Sequence, residues 1–478
     1  PRQLQVGPLA DTLGDWTGRA GPTYLRLARA IGDAVAQGQL APGWRLPAER
    51  ALAAHLRVAR GTVVSAYDTL REQGVVETRR GSGTVLLGRR ASAQAHRAPL
   101  LSRLVDGGGV PIDLAVGAPE LAEDELTEVG VSMRSAWRLV PPHGYAPMGV
   151  AALREALAMR FSRRGVPSRP DEIIVTGGAQ GALSLIAASF LRPGDRVLVE
   201  APTYPAAIEA FARAGARVEG VERDHSGPVL ASLEGALARG PVRLIYLIPT
   251  GHNPTGEVMS EGRRRAVLRV AREARALVLE DGVMEDLLYD GAAPVSLAAL
   301  DPEAVLAVGS LSKSVWGALR VGWIRAPSEL VLRMGRLKAC LDLGSPALGQ
   351  AAALEIVERL PELTARRRAL FEHRVGVLCA ELESQLPEWS FRRPRGGLSV
   401  WLKLPRGSAD DLAQLALRRG VAIASGRAAA PGDEFPSHVR LCAGPPPELL
   451  CEGVSRLAAA WKELTALPQP AHDERVMV

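Results

Sequence analysis

Apolar residues Leu27, Ile31, Ala34 and Val35 recur at helical spacing and fall on one face, which predicts an amphipathic helix over residues 24–37. The stretch LAPGWRLP, with two prolines and a glycine, breaks that pattern. A short second helix is predicted over Glu49–Leu56. Val63, Ala66, Tyr67 and Leu70 mark one face of a third, which ends at Gly74. VVETRRGSGTVLL then reads as two short strands around a Gly-Ser-Gly tip. Residues 89–111 lose all periodicity, include a glycine triplet and read as a linker. Beyond them, short apolar runs at 173–175, 197–200, 244–248, 277–281 and 305–309 alternate with helical stretches. That alternation predicts an α/β unit with a mainly parallel sheet. The expected boundaries are 1–88 (core 22–88), 89–111, 112–466 with a small C-terminal subdomain over 340–466, and a tail over 467–478.

A chain of 478 residues fits two or three domains. No run of eighteen apolar residues occurs, so no transmembrane helix is expected. The first residues lack a basic segment followed by an apolar one, so no secretory signal is expected. Cys340, Cys379, Cys442 and Cys451 form no CxxC pair and read as buried thiols in a reducing cytosol; no cluster has metal-ligand spacing. Charge changes the picture more. Residues 1–90 hold thirteen arginines against seven acidic residues, so the whole net charge of +6 sits there. A small basic unit predicts a polyanionic partner, against the plainer reading of a solvated basic surface.

The order helix, tight connection, helix, basic-tipped hairpin suits DNA. A helix fits the major groove with its N-terminal residues at the base edges. Arg60, Gly61 and Thr62 open the third helix. Arginine can take both acceptors of a guanine, the glycine lets the backbone approach, and threonine can bond a phosphate. WRLPAERALAAHLRVARGTVVSAYDTLREQGVVETRRGSGT resembles the GntR-type winged helix over about forty positions. The resemblance implies DNA contacts at Arg50, Arg60, Gly61, Thr62, Arg80 and Gly81, with Tyr67 in the core. Ala59 stands where that family has Ser or Thr, which removes a helix cap or phosphate contact, and Val64 puts an apolar group on the reading face.

Five segments of the α/β part make joint sense around a phosphorylated pyridine aldehyde. TGGAQGAL follows a strand and opens a helix, so the amides of Gly178, Ala179 and Gln180 can cradle a phosphate. Tyr204 in EAPTYPAA can stack on a flat ring, and Asn253 in IPTGHNPTG can donate to a ring oxygen. Asp281 ends an apolar strand, where a buried carboxylate keeps a pyridine nitrogen protonated. GSLSKSVWGALRVGW holds Lys313, one of only four lysines in an arginine-rich chain; lysine can form a Schiff base and arginine cannot. Ser310, Ser312 and Arg320 flank it as phosphate ligands. Each segment alone has an ordinary explanation, as a turn, a packing ring or a strand-end carboxylate; together they converge beyond the carboxyl ends of the strands.

Residues 112–465 resemble the fold-type I, aspartate-aminotransferase-like proteins. The resemblance implies pyridoxal 5′-phosphate (PLP) held by Lys313 as an internal aldimine, with Asp281 on the pyridine nitrogen, Asn253 on the 3′ oxygen and Arg440 for a substrate or effector carboxylate. Val283 stands where that family has a tyrosine, and the segment between Tyr145 and Gly149 is one residue short. A GntR-type winged helix ahead of such a domain resembles the MocR family of regulators. The implied fold is an α+β winged helix-turn-helix followed by a large domain with a mainly parallel sheet and a small C-terminal α/β domain. The implied function is a cytoplasmic, homodimeric, DNA-binding transcriptional regulator that senses PLP or an amino compound by aldimine exchange at Lys313, with a DNA operator as partner. The competing expectations are a working aminotransferase with a vestigial DNA unit and a PLP-free, purely DNA-binding dimer.

Overall fold

The computed structural model describes residues 4, 6–14, 16–17, 22–36, 40, 44–72, 75–79, 83–86, 110–118, 133–289 and 294–466. The chain divides into two compact units, the larger spanning Gly109–Trp461.

In the N-terminal unit the helices run Val6–Leu13, Thr23–Ala36, Glu49–Leu56 and Arg60–Glu72. The four apolar residues that mark the Thr23–Ala36 face are all buried, as are Val63, Ala66, Tyr67 and Leu70 on the last helix. Strands Val76–Arg79 and Gly83–Leu86 pair antiparallel as the wing. Its second strand also bonds the connection that precedes the Glu49–Leu56 helix, Leu46 N to Thr84 O at 2.8 Å and Leu86 N to Trp44 O at 2.8 Å. Arg71 Nε donates to Thr78 Oγ1 at 3.1 Å and fastens the long helix to the wing. One element departs from expectation. The core does not begin at residue 22: Leu4, Leu9, Leu13 and Trp16 are buried in the same cluster. Leu9 and Leu13 lie one turn apart, so this short helix adds one apolar stripe to the core.

The larger unit is built on an eight-stranded sheet. Its order is Ile173–Thr176, Gly322–Arg325, Val305–Ser310, Leu277–Asp281, Leu244–Leu247, Arg196–Ala201, Arg217–Asp224, Gly227–Pro228. The five strands from Val305–Ser310 to Arg217–Asp224 are parallel. The central strand Leu244–Leu247 is buried throughout: Leu244 and Tyr246 enter one core cluster, Ile245 and Leu247 the other. A strand covered on both faces has no polar positions to alternate, which is why these segments read as continuous apolar runs. Each of the five predicted strands is present, with ends shifted by at most one residue. A second sheet, Ser390–Phe391, Ser399–Lys403, His438–Cys442 and Ala424–Ser425, is antiparallel throughout. Between the sheets in sequence runs the 39-residue helix Ala347–Gln385, with Pro361 inside it.

Among the described residues no helix is long and apolar enough to cross a membrane.

Candidate functional site

The helix Arg60–Glu72 opens at Arg60, where Thr62 N donates to Ala59 O at 2.9 Å. Arg50, Arg60 and Gly61 are exposed and Thr62 half-buried. Arg60 is not free: its guanidinium pairs with Glu49 at 3.1 Å, eleven residues earlier at the start of the preceding helix. A Cβ on Gly61 would meet nothing of the protein within 4 Å, so the fold itself makes no demand for glycine there. Tyr67 is a core residue: it is 1 % exposed and its hydroxyl donates to Pro47 O at 2.9 Å. Val64 is half-buried. Arg80 and Gly81 lie outside the described residues.

In the larger unit the predicted residues converge at the carboxyl ends of the parallel strands. Gly178 is the N-cap of the helix Ala179–Phe190, with φ +83°, a conformation that glycine adopts without a steric penalty. The first amides of that helix, from Ala179 and Gln180, have no partner within the helix and suit a phosphate. The cradle is closed by backbone. A Cβ on Gly322 would stand 2.6 Å from the Gly178 carbonyl carbon, and one on Gly178 would meet the Arg320 guanidinium at 3.0 Å. Arg320 donates to Gly177 O, which holds it across the mouth of the cradle. Ser312 Oγ lies 2.8 Å from Ser310 Oγ, and Ser310 itself donates to Val321 O at 3.1 Å. Ser310 is therefore turned into the sheet and orients Ser312, the half-buried member of the pair.

Asp281 closes the strand Leu277–Asp281 and is 5 % exposed. Burial pushes its carboxyl up from the ordinary value, while bonds from Tyr246 and Val283 and the charge of Lys313 pull it down. Tyr246 OH donates to Asp281 Oδ2 at 2.7 Å, and Val283 N donates to Oδ1 at 3.0 Å. Val283 thus supplies only backbone. Nothing in the sequence around Tyr246 marks it, because its role depends on a carboxylate on the next strand. Tyr145, the other residue in question, is 56 % exposed and stacks on His143 with 5.8 Å between ring centroids.

Lys313 Nζ donates to Gly117 O. Its pKa is lowered to about 8, first by burial and further by Arg440 and Arg320, against Cys442 and Asp281, which raise it. Tyr204 feels the same charges: burial and Asp281 raise its phenol, Arg440 and Arg320 lower it. Lys313, Asp281, Tyr204, Arg320 and Arg440 therefore share one electrostatic neighbourhood. Arg440 is buried, which excludes a surface role. Its guanidinium donates to Asn253 Oδ1 at 3.2 Å and to Ala115 O at 2.6 Å. Cys442, two residues on, is a buried thiol beside them that the sequence did not single out.

These residues fit a phosphorylated pyridine aldehyde. Gln180 Oε1, Thr203 Oγ1, Ser314 Oγ and Arg440 Nε are buried without a hydrogen-bond partner. Buried polar atoms are normally satisfied, so four such atoms next to Ala179, Tyr204, Lys313 and Asn253 mark places where a polar ligand belongs. Among the described residues no group of His, Cys, Asp or Glu can hold a metal ion.

Comparison with known proteins adds the following. Residues 111–457 match the aminotransferases of class I and II, and residues 23–86 match the bacterial regulatory proteins of the gntR family. The chain is 30% identical over 485 residues to the HTH-type transcriptional regulator TauR of Rhodobacter capsulatus, covering 93% of this chain and 98% of that one. It is 33% identical over 368 residues to a 2-aminoadipate transaminase of Thermus thermophilus, covering 75% of this chain and 90% of that one. The crystal structure of the Thermus thermophilus α-aminoadipate aminotransferase LysN, complexed with N-(5′-phosphopyridoxyl)-L-leucine, superposes with a TM-score of 0.70 at 31% identity. It covers 78% of this chain and 97% of that one.

Proposed function

Because the chain belongs to the class I and II aminotransferase family and carries a gntR-family domain ahead of it, the architecture of the MocR transcriptional regulators, we propose that it regulates transcription by sensing PLP, or an amino compound that exchanges onto PLP, at Lys313. PLP is the cofactor of this family. When bound, it supplies an aldehyde that condenses reversibly with primary amines, and a ring that withdraws electrons.

The chain's own residues divide the work. The amides of Gly178, Ala179 and Gln180 bind the phosphate with Ser312 and Arg320, while Ser310 orients Ser312. Asp281, steadied by Tyr246, holds a proton on the pyridine nitrogen. Asn253 donates from its amide nitrogen to the 3′ oxygen, its Oδ1 being engaged by Arg440. Tyr204 covers a ring face. Arg440 Nε, left without a partner, receives the effector carboxylate. Lys313 would hold the aldehyde through its amine, and the residues around it keep its proton easy to lose.

The DNA-reading residues are Arg50, Arg60, Gly61, Thr62, Arg80 and Gly81, acting on a double-stranded operator. The functional boundaries are 1–88 for the DNA-binding unit, 89–111 for the linker, 112–466 for the sensing domain and 467–478 for the tail. The working form is a homodimer in the cytoplasm. For an effector to change DNA affinity, it must favour one of two arrangements of the protein over the other.

The observation that carries this reading is the half-buried amine of Lys313, bonded to Gly117 O and set among the charges of Asp281, Arg320 and Arg440, with its pKa lowered to about 8, first by burial. The test combines a scan for the absorbance band of PLP bound to lysine with operator binding, each with and without PLP and amino acids. A coloured protein whose grip on its own promoter changes with the ligand supports it. A colourless protein, or turnover of amino donors with no DNA binding, overturns it.

A further inference from the structure

We propose that a second cavity, between the helices Ala151–Arg163 and Ala347–Gln385, is a binding site for an acidic amino acid, separate from the Lys313 pocket. The cavity measures 530 Å³, within the range of small-molecule sites. Arg160, Arg163, Arg164 and Arg368 stand on its wall.

Two of these arginines are occupied. Arg160 donates to Asp286 at 2.8 Å and Arg164 to the same carboxylate at 2.8 Å, and both also reach Glu285. The Arg160 and Arg164 guanidinium groups hold the Asp286 carboxyl below its ordinary value, against its burial. The other two are not occupied. Among the described residues Arg163 and Arg368 make no hydrogen bond or ion pair, and Arg368 Nε is buried with no partner. A buried guanidinium donor without an acceptor is costly, so an acceptor belongs there. Among the described residues Glu358, exposed on the same wall, makes no hydrogen bond or ion pair either.

The free groups define the ligand by complement. The buried Arg368 donor calls for a carboxylate, and the exposed Arg163 and Glu358 on the same wall add a cation and an anion that a second carboxylate and an ammonium complement. An amino dicarboxylate carries that set. Met159, 53% exposed beside the cavity, offers an apolar surface for the methylene chain. The Lys313 site differs in kind, because it selects for a primary amine. The two sites are joined by a short arm: Asp286 on the cavity wall follows Asp281 by five residues.

The probe that separates them is N,N-dimethyl-L-glutamate, whose tertiary amine cannot condense with an aldehyde. It is titrated calorimetrically into the full chain, as purified and after PLP loading. Binding is expected, with affinity at least tenfold lower in the double variant R163A/R368A and unchanged in R440A. E358Q is expected to weaken this probe several-fold and to leave glutarate, which lacks the amine, unaffected. No binding, or binding lost in R440A and kept in R163A/R368A, overturns the proposal. An equal effect of E358Q on both probes overturns the assignment of Glu358 to the ammonium. Whether the sample carries the absorbance of PLP on Lys313 is read separately, so a failure of that site is not mistaken for a failure of this one.

Discussion

The hydroxyl of Tyr246 donates to the carboxylate of Asp281 across 2.7 Å, from one parallel strand to the next. Both side chains are buried, and burial with the neighbouring carboxylate holds the phenol well above its ordinary pKa, so it remains a donor. Tyr246→Phe leaves one Asp281 oxygen without its strongest side-chain partner and pushes the carboxyl further up. A lost hydrogen bond to a charged acceptor is worth roughly 1.5 kcal/mol, which corresponds to about tenfold in affinity. PLP affinity, read by absorbance titration of the apoprotein, is expected to fall by about that factor. An unchanged affinity would show that Val283 N suffices.

Lys313 makes the second prediction one of pH. Only the neutral amine attacks an aldehyde, and here the folded value is depressed to about 8 from 10.5. The rate of PLP capture is expected to rise through pH 8 and level off by about 9.5, whereas an ordinary lysine would still be gaining at 10. The sign for folding agrees: the native state binds fewer protons than the unfolded chain between these values, so this group's contribution to stability increases as pH rises from about 8 towards 10.5. Stopped-flow absorbance across pH 6.5–10 checks the first statement, and Lys313→Ala should remove the band.

The ion pair between Arg60 and Glu49 gives opposite expectations for its two members. Arg60→Ala is expected to weaken operator binding at least tenfold, the range for one lost bidentate base contact. Glu49→Gln frees the arginine and removes the negative charge paired with it, so binding is expected to tighten a few-fold. The pair is exposed and contributes little to folding, so melting temperature should hardly move in either variant. Fluorescence anisotropy at two salt concentrations measures both, since affinity for DNA must also fall steeply with salt. Equal affinities for wild type and both variants would remove Arg60 from the interface.

His438 stacks on Trp401 with 5.3 Å between ring centroids, and its Nδ1 is buried without a partner. Burial, helped by Lys403, lowers its pKa to about 4. The unfolded chain therefore takes up a proton that the native protein refuses between about pH 6.5 and 4, and stability falls as pH falls through that window. His438→Gln should flatten this part of the profile of denaturation midpoint against pH. A slope identical to wild type would mean that other groups dominate it.

The fold was legible wherever burial was two-sided or strictly periodic. Leu277–Asp281 shows its apolar run because sheet neighbours and helices cover both its faces, and Leu27 with Ile31 shows a helix face directly. The helix Val6–Leu13 was not legible: eight residues containing a glycine and a proline give one apolar stripe and no cap signal. In the candidate site, residue types carried Lys313, Asp281 and Arg440, because few side chains can do those tasks. Partnerships between distant strands carried the rest. Nothing local to Tyr246 marks it as the donor to a carboxylate 35 residues on. Nothing local to Ser310 says that it faces Val321 rather than the cradle. The occupation of Arg60 by Glu49 likewise required two helix starts to be brought together in space.

At Gly322, which opens its strand, and Gly178, which caps its helix, two backbones touch with no side chain between them. Gly322 pairs with Thr176 on one side and Ser310 on the other, so it is anchored both to the strand before the phosphate cradle and to the strand that leads into Lys313. The spacing between the candidate phosphate cradle and Lys313 is thus gauged by bare main chain, a ruler that changes of side chain elsewhere cannot stretch. A single methyl group at Gly322 would wedge it open, and both ends of the ligand could then no longer be reached at once.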